Sequence, residues 1–188
     1  MRAFVAIPLP VLHREALAVL QHELASSGAD VAWVGPEQLH VTLKFLGAIT
    51  ELQRHALEAR LRPIAAETAP CTLSLNEVGA FPSVASPRVV WVGIQEGRET
   101  LVRLAEAIEQ AGEAIGVPRE ARPFAAHVTL GRVRSGTRRQ ALTERLRAVR
   151  WTPPPPWHAT AMILYESVLS SAGSRYTILA DIPLGPDG

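Results

Sequence analysis

The chain has 188 residues, of which 47% are hydrophobic and 20% charged, and a formal net charge of +1. These values exclude a disordered, collagen-like or coiled-coil chain, and no apolar run approaches the roughly 20 residues of a membrane helix. Near-neutral charge gives no overall field for nucleic acid, so such a substrate has to be held by a local patch or by one end.

The start, Met1 to Pro8, has one basic residue and a very short apolar stretch, so no secretory leader is expected and the expected location is cytoplasmic. Ala3 to Ile7 reads as a strand ended by Pro8 and Pro10. Residues 11–26 place Leu12, Ala16, Val19, Leu20 and Leu24 at helical spacing, with Gly28 as the stop. Val31 to Val34 is a short strand closed by Gly35-Pro36, and Leu39 to Leu46 is a strand rich in β-formers ended by Gly47. Thr50 is placed to cap a helix over 51–66, and 71–79 is a further strand. This is a β-α-β-β-α-β order. The second half predicts a strand at 88–94, a helix at 98–115, a strand at 125–133, a helix at 138–149 and strands at 159–166 and 174–179. No counterpart of the short 31–34 strand precedes 125. The run Thr152 to Trp157 is an extended polyproline stretch.

The chain repeats itself. His40-Val41-Thr42-Leu43 recurs as His127-Val128-Thr129-Leu130, a shift of 87 residues. The same shift lays Phe4-Val5-Ala6-Ile7 on Trp91-Val92-Gly93-Ile94, Leu17 on Leu104, and Leu73-Ser74-Leu75 on Thr160-Ala161-Met162. The expected fold is α+β. Two β-α-β-β-α-β lobes, about residues 1–86 and 87–188, are related by a pseudo-twofold in one bilobal domain over 1–188. Their antiparallel sheets face a central cleft and their helices lie outside.

Side chains alternate along a strand. Val41 and Leu43 then point to a core, while His40, Thr42 and Lys44 point to the cleft. Val128 and Leu130 likewise point inward, with His127, Thr129 and Gly131 outward. Packing alone would keep Val and Leu in a repeat; keeping His and Thr points to chemistry. Two imidazoles across a cleft suit acid–base catalysis, since one serves as base while the other serves as acid near neutral pH. Nearby hydroxyls suit phosphate oxygens. No carboxylate accompanies either motif, and the single cysteine Cys71 leaves a metal site poorly furnished. The pattern fits metal-free phosphodiester cleavage.

These motifs and their flanks carry a resemblance. The flanks include Phe4 to Pro10, Trp33-Val34, Leu39 to Gly47, Gly79-Ala80-Phe81-Pro82 and Pro87 to Gly93. They continue through Arg122-Pro123-Phe124, His127 to Val133, Leu164 to Ser167 and Arg175-Tyr176-Thr177. Over nearly its whole length the chain resembles the 2H phosphoesterase superfamily, and within it the bacterial and archaeal RNA 2′,3′-cyclic phosphodiesterases, or 2′-5′ RNA ligases. The resemblance implies hydrolysis of RNA 2′,3′-cyclic phosphate ends to 2′-phosphomonoesters without metal or other cofactor. It also implies a weak ATP-independent reverse joining through 2′-5′ linkages. It makes His40 the proton donor, His127 the proton acceptor, and Thr42, Thr129 and Arg132 the substrate-binding residues. The partners expected are RNA ends or nucleotides bearing the cyclic phosphate, with no membrane and no metal, for a monomeric chain.

Alternation alone puts Arg132 on the face away from His127 unless a bulge redirects it. Phe45 and Trp33 read as core residues with a second reading as base-stacking platforms. His13, His22 and His55 read as surface residues of helices, His158 as structural and Cys71 as a small buried hydrophobe. Arg132, Arg134, Arg138 and Arg139 form a basic group that suits either an RNA backbone or a solvated helix start. Three other readings stay open: a phosphodiesterase of small cyclic or 2′-5′-linked nucleotides, a non-catalytic RNA-binding module, and a two-histidine metal site.

Overall fold

A computed structural model describes residues 1–186. In chain order the elements are β1 (Arg2–Pro8), α1 (Val11–Ala25), β2 (Val31–Trp33), β3 (His40–Ala48), α2 (Glu51–Glu67), β4 (Cys71–Leu73) and β5 (Leu75–Ser83). Then come β6 (Ser86–Ile94), α3 (Arg98–Glu113), β7 (His127–Val133), α4 (Arg139–Ala148), β8 (Trp157–Ala159), β9 (Ala161–Ser170) and β10 (Gly173–Pro183). A single 3₁₀ turn, Pro36–Gln38, joins β2 to β3. The expected strands at 71–79 and 159–166 each split, at Ser74 and Thr160, and the short pieces β4 and β8 pair into a separate two-stranded ribbon. Thr50 caps α2 in a capping box with Gln53, each satisfying the other's free backbone N–H. No strand lies between α3 and β7. The residue 87 positions after Val31, the first residue of β2, is Pro118, which has no N–H for a sheet ladder.

The remaining strands form one antiparallel sheet in the order β10-β9-β1-β3-β7-β6-β5, with β2 added beside β7. The two half-sheets are joined by a single residue pair, Val41 opposite Val128. These are equivalent positions of the repeat, so the pseudo-twofold axis passes between them. Shifting by 87 residues carries β3 to β7 and β1 to β6, and exchanges β5 with β9. The spatial halves therefore mix the sequence halves. β1 pairs with β9 from the C-terminal repeat, and β6 pairs with β5 from the N-terminal one. Helices cross over too: α1 packs with α4 behind β6 and β7, while α2 and α3 pack behind β3, β9 and β10.

The core fills the space between sheet and helices, with Val5, Ile7, Val41, Leu43, Val92, Ile94, Val128 and Leu130 from the sheet almost fully buried. Helix α1 buries His13, Leu17, Leu20, Gln21 and Leu24, not the face containing Leu12 and Val19, which are 58% and 71% exposed. The reason is polar. Gln21 reaches into the sheet and donates from Nε2 to the carbonyls of Val34 and Leu130, at 2.7 and 2.8 Å. His13, expected at the surface, is buried against Trp157 and bonds the Pro155 carbonyl through Nε2 at 2.8 Å. His22, His55 and His158 are exposed, and Cys71 is half-buried. No helix among the described residues is long and apolar enough to cross a membrane.

Candidate active site

The joint between the half-sheets places the two motifs side by side and antiparallel. With Val41 facing Val128 and both turned to the core, His40, Thr42, His127 and Thr129 all emerge on the opposite face. Antiparallel register brings each histidine toward the threonine of the other motif. Two surface cavities lie elsewhere. One, of about 450 Å³, opens between α2 and α3 beside Cys71; the other, of about 670 Å³, opens at the start of α3. The four motif side chains share one face of the sheet and are all half-buried.

Both imidazoles are tethered the same way. His40 Nδ1 lies 2.6 Å from the Gln38 carbonyl, and His127 Nδ1 lies 2.6 Å from the Ala125 carbonyl. A carbonyl only accepts, so Nδ1 carries the proton in each ring and Nε2 is the atom presented to that face. The two differ at Nε2. That of His40 is 2.8 Å from Thr42 Oγ1, whereas that of His127 has no hydrogen-bond partner among the described residues.

Beyond each motif the strand makes a bulge. On β3, Thr42 faces Ala6 and Lys44 faces Val5, so Leu43 is left over; on β7, Thr129 faces Trp91 and Gly131 faces Val90, so Leu130 is left over. The two bulged leucines are equivalent by the repeat. A bulge resets the alternation, and this decides three residues. Arg132 returns to the face of His127 and is exposed, and its charge is felt by both His127 and Tyr176. Phe45, its repeat equivalent, returns to the same face and is 58% exposed rather than part of the core. Lys44 is turned away from the cleft, against the expectation from simple alternation. It is buried behind the sheet, where Nζ meets Glu109 Oε2 at 2.7 Å and the Pro118 carbonyl at 3.1 Å. Trp33 is half-buried and packs on the core.

Aromatic rings wall both histidines. Phe4 lies 4.9 Å from the His40 ring and Tyr176 meets it edge-on at 5.6 Å, with Tyr165 stacked on Phe4 at 5.1 Å. On the other side Phe81 stands perpendicular to His127 at 5.2 Å and Trp91 lies 6.5 Å away. Trp91 seats flat over β5 because residue 79 is glycine; a Cβ there would come within 2.4 Å of the indole. Phe4 and Trp91 are repeat equivalents. The offset of 87 aligns them in the sequence, but nothing in it assigns them to the site. Phe81, Tyr165 and Tyr176 carry no repeat signal. Of the basic group, Arg134 pairs with Asp30, Arg138 donates to the Ser27 carbonyl and Arg139 opens α4, while Arg132 is the one whose charge is felt at His127. Among the described residues, no three His, Cys, Asp or Glu side chains come together as a metal site would require.

Burial pushes both histidines below their ordinary value of about 6.5, because removing water penalises the imidazolium. The carbonyl tethers work the other way, and the positive charges of His127 on His40 and of Arg132 on His127 depress them further. The sign for catalysis follows. For an acid–base pair made of these two imidazoles, the competent form would hold one proton between two groups that both titrate below about 6.5, so its population would peak between those two values. The kcat/KM profile, which reports the free enzyme, is expected to be bell-shaped with its maximum on the acid side of about pH 6.5. An optimum above neutrality would contradict this electrostatic reading.

The family model of LigT-like phosphoesterases matches the chain twice, over residues 7–91 and 92–176. The chain belongs to the LigT-like phosphoesterase family. The matches split the chain close to the 87-residue shift. Among similar proteins, an RNA 2′,3′-cyclic phosphodiesterase of Aquifex aeolicus is 34% identical over 81% of this chain and 81% of its own length. One of Archaeoglobus fulgidus is 40% identical over 71% of this chain and 73% of its own. A crystal structure of a Thermus thermophilus protein superposes with a TM-score of 0.81 at 30% identity, covering all of both chains. That of Escherichia coli LigT complexed with 3′-AMP gives 0.77 at 29% identity over 97% of each. The LigT-like fold is thus the α+β arrangement expected from the repeat, with the two half-sheets continuous at the motifs.

Proposed function

We propose that this LigT-like phosphoesterase hydrolyses 2′,3′-cyclic phosphates at RNA ends, and that His40 and His127 are its acid and base. The observation that carries the reading is the pair of imidazoles on the pseudo-axis, each with Nδ1 committed to a carbonyl and Nε2 presented to the same face. The relatives named RNA 2′,3′-cyclic phosphodiesterase supply the substrate class.

In this reading His127 Nε2, which has no competing partner among the described residues, takes a proton from water as the water oxygen bonds to phosphorus. The bond from phosphorus to the 3′ oxygen breaks, and that oxygen takes the proton of His40 Nε2. The product is a 2′-phosphomonoester with a free 3′ hydroxyl. The bond between His40 and Thr42 favours this assignment. Neutral His40 accepts the Thr42 hydroxyl at Nε2; once His40 is charged it accepts nothing there, so the hydroxyl is free to donate a hydrogen bond to a phosphate oxygen while the Nε2–H serves the 3′ oxygen. Thr129 and Arg132 supply donor and charge from the other motif. Phe45 and Arg132, raised by matching bulges, flank the site as a stacking face and a cation. Run in the same direction with a 5′ hydroxyl in place of water, the same steps join ends through a 2′-5′ linkage without ATP. One chain provides every group named, so a monomer suffices, with residues 1–86 and 87–188 acting as one bilobal unit.

A second reading, a phosphodiesterase of small nucleotides, is favoured by the similar Escherichia coli structures complexed with single nucleotides. One assay separates them: an oligoribonucleotide ending in a 2′,3′-cyclic phosphate against a cyclic mononucleotide, both in excess chelator. The proposal expects turnover of the oligomer to a 2′-phosphate end, undiminished by chelator. Preference for the mononucleotide supports the second reading, and full loss restored by zinc or manganese supports a metal.

A further inference from the structure

The repeat is broken at the residue whose carbonyl tethers each motif histidine. Gln38 and Ala125 are equivalent, each two residues before its motif histidine, and each lends its carbonyl to that histidine's Nδ1–H. Alanine can do no more. Gln38 has a side chain, and its Nε2 donates to the Ser174 carbonyl on β10. Two residues further along the same strand, Tyr176 packs edge-on against the His40 ring. The β9–β10 hairpin therefore holds His40 by two attachments: directly through Tyr176, and indirectly through the Gln38 amide.

We infer that Gln38 is a positioning residue that locks the His40 imidazole to the β9–β10 hairpin, and that this lock adds to the differences that distinguish the acid from the base. The inference rests on the proposed role of His40. The setting explains why a lock is needed. The turn Pro36–Gln38 crosses from β2, which pairs in the half-sheet of β7, to β3 in the other half-sheet. Its outer residue Glu37 is held only by an exposed pair with Arg14, and such pairs contribute little. Without the Gln38 amide, the carbonyl that orients His40 sits on a short turn anchored mainly by its ends. A misplacement of about 1 Å in a proton-transfer group costs as much as 10²-fold. His127 is likewise packed by aromatic rings, Phe81 and Trp91, but the residue that tethers it, Ala125, has no side-chain amide to anchor it elsewhere.

Gln38→Ala makes the first motif resemble the second, and Gln38→Met keeps the length while deleting the donor. Both are expected to lower kcat about tenfold or more with KM within twofold. The diagnostic reading is nuclear magnetic resonance titration of the two histidines, which requires no turnover. Around His40 the groups that matter are the Thr42 hydroxyl, the Tyr176 phenol, the His127 charge and the Gln38 carbonyl. The carbonyl favours the imidazolium, so loosening it should move the His40 midpoint down while His127 stays in place. Movement of both midpoints together, or of neither, overturns the inference. A His40 midpoint that falls in a variant of unchanged activity leaves the lock standing and removes His40 from the mechanism instead.

Discussion

His40→Ala and His127→Ala are each expected to lower turnover of a cyclic-phosphate end by about 10²–10⁴-fold. Each ring has its Nδ1 committed to a carbonyl and offers Nε2 to one face, so alanine removes the only proton carrier at that position. The double variant should lose far less than the product of the single losses, because acid and base act in one step and removing either disables it. Folding should survive, since both rings are only half-buried. Either single variant within threefold of the parent chain, by initial rates on a defined oligomer, would remove that histidine from the chemistry.

The second large effect is on stability. Lys44 and Glu109 form an ion pair whose side chains are 2% and 13% exposed, 2.7 Å apart. Glu109 also accepts the Glu120 amide, so the pair ties β3 to α3 and to the segment that leads into the second motif. Lys44→Met keeps the apolar stem but strands the carboxylate, which costs about 3–5 kcal/mol for a buried pair broken on one side. Replacing both partners with apolar residues of similar volume should recover most of that loss. Denaturant unfolding checks both. Because Lys44 faces away from the motifs, kcat/KM of the folded Lys44→Met fraction should stay within threefold. A loss in stability under 1 kcal/mol, or a selective loss of activity, would return Lys44 to the cleft.

Lys44 also marks where the sequence stopped being legible. Alternation read from His40 gives the right face through Leu43, then fails at Lys44, because the bulge at Leu43 leaves no local signature in a run of good strand formers. The same failure at Leu130 hid Arg132, and the bulge offered as its alternative is the one observed. Element order, the N-cap at Thr50 and the face shared by the two histidines were legible because they rest on local chemistry or on a period of two. The exchange of β5, β9 and the helices between the half-sheets was not. A repeat shows that two segments are alike; it carries no record of which copy each strand pairs with. Helix α1 misled for a different reason: its buried face carries His13 and Gln21, whose burial depends on carbonyls distant in sequence. The aromatic walls arise the same way, from strands that meet only in the folded sheet.

The central claim is that the two histidines share one in-line displacement, with His127 as base and His40 as acid. The measurement that tests it most directly uses an oligomer whose 3′ leaving oxygen is replaced by sulfur. A thiolate leaves without protonation, so this substrate bypasses the acid but not the base. Measured against the all-oxygen substrate, it is expected to restore His40→Ala to near the rate of the parent chain and to leave His127→Ala as slow as before. Rescue of His127→Ala instead exchanges the two roles, and rescue of neither, or a product carrying a 3′-phosphate, contradicts the account.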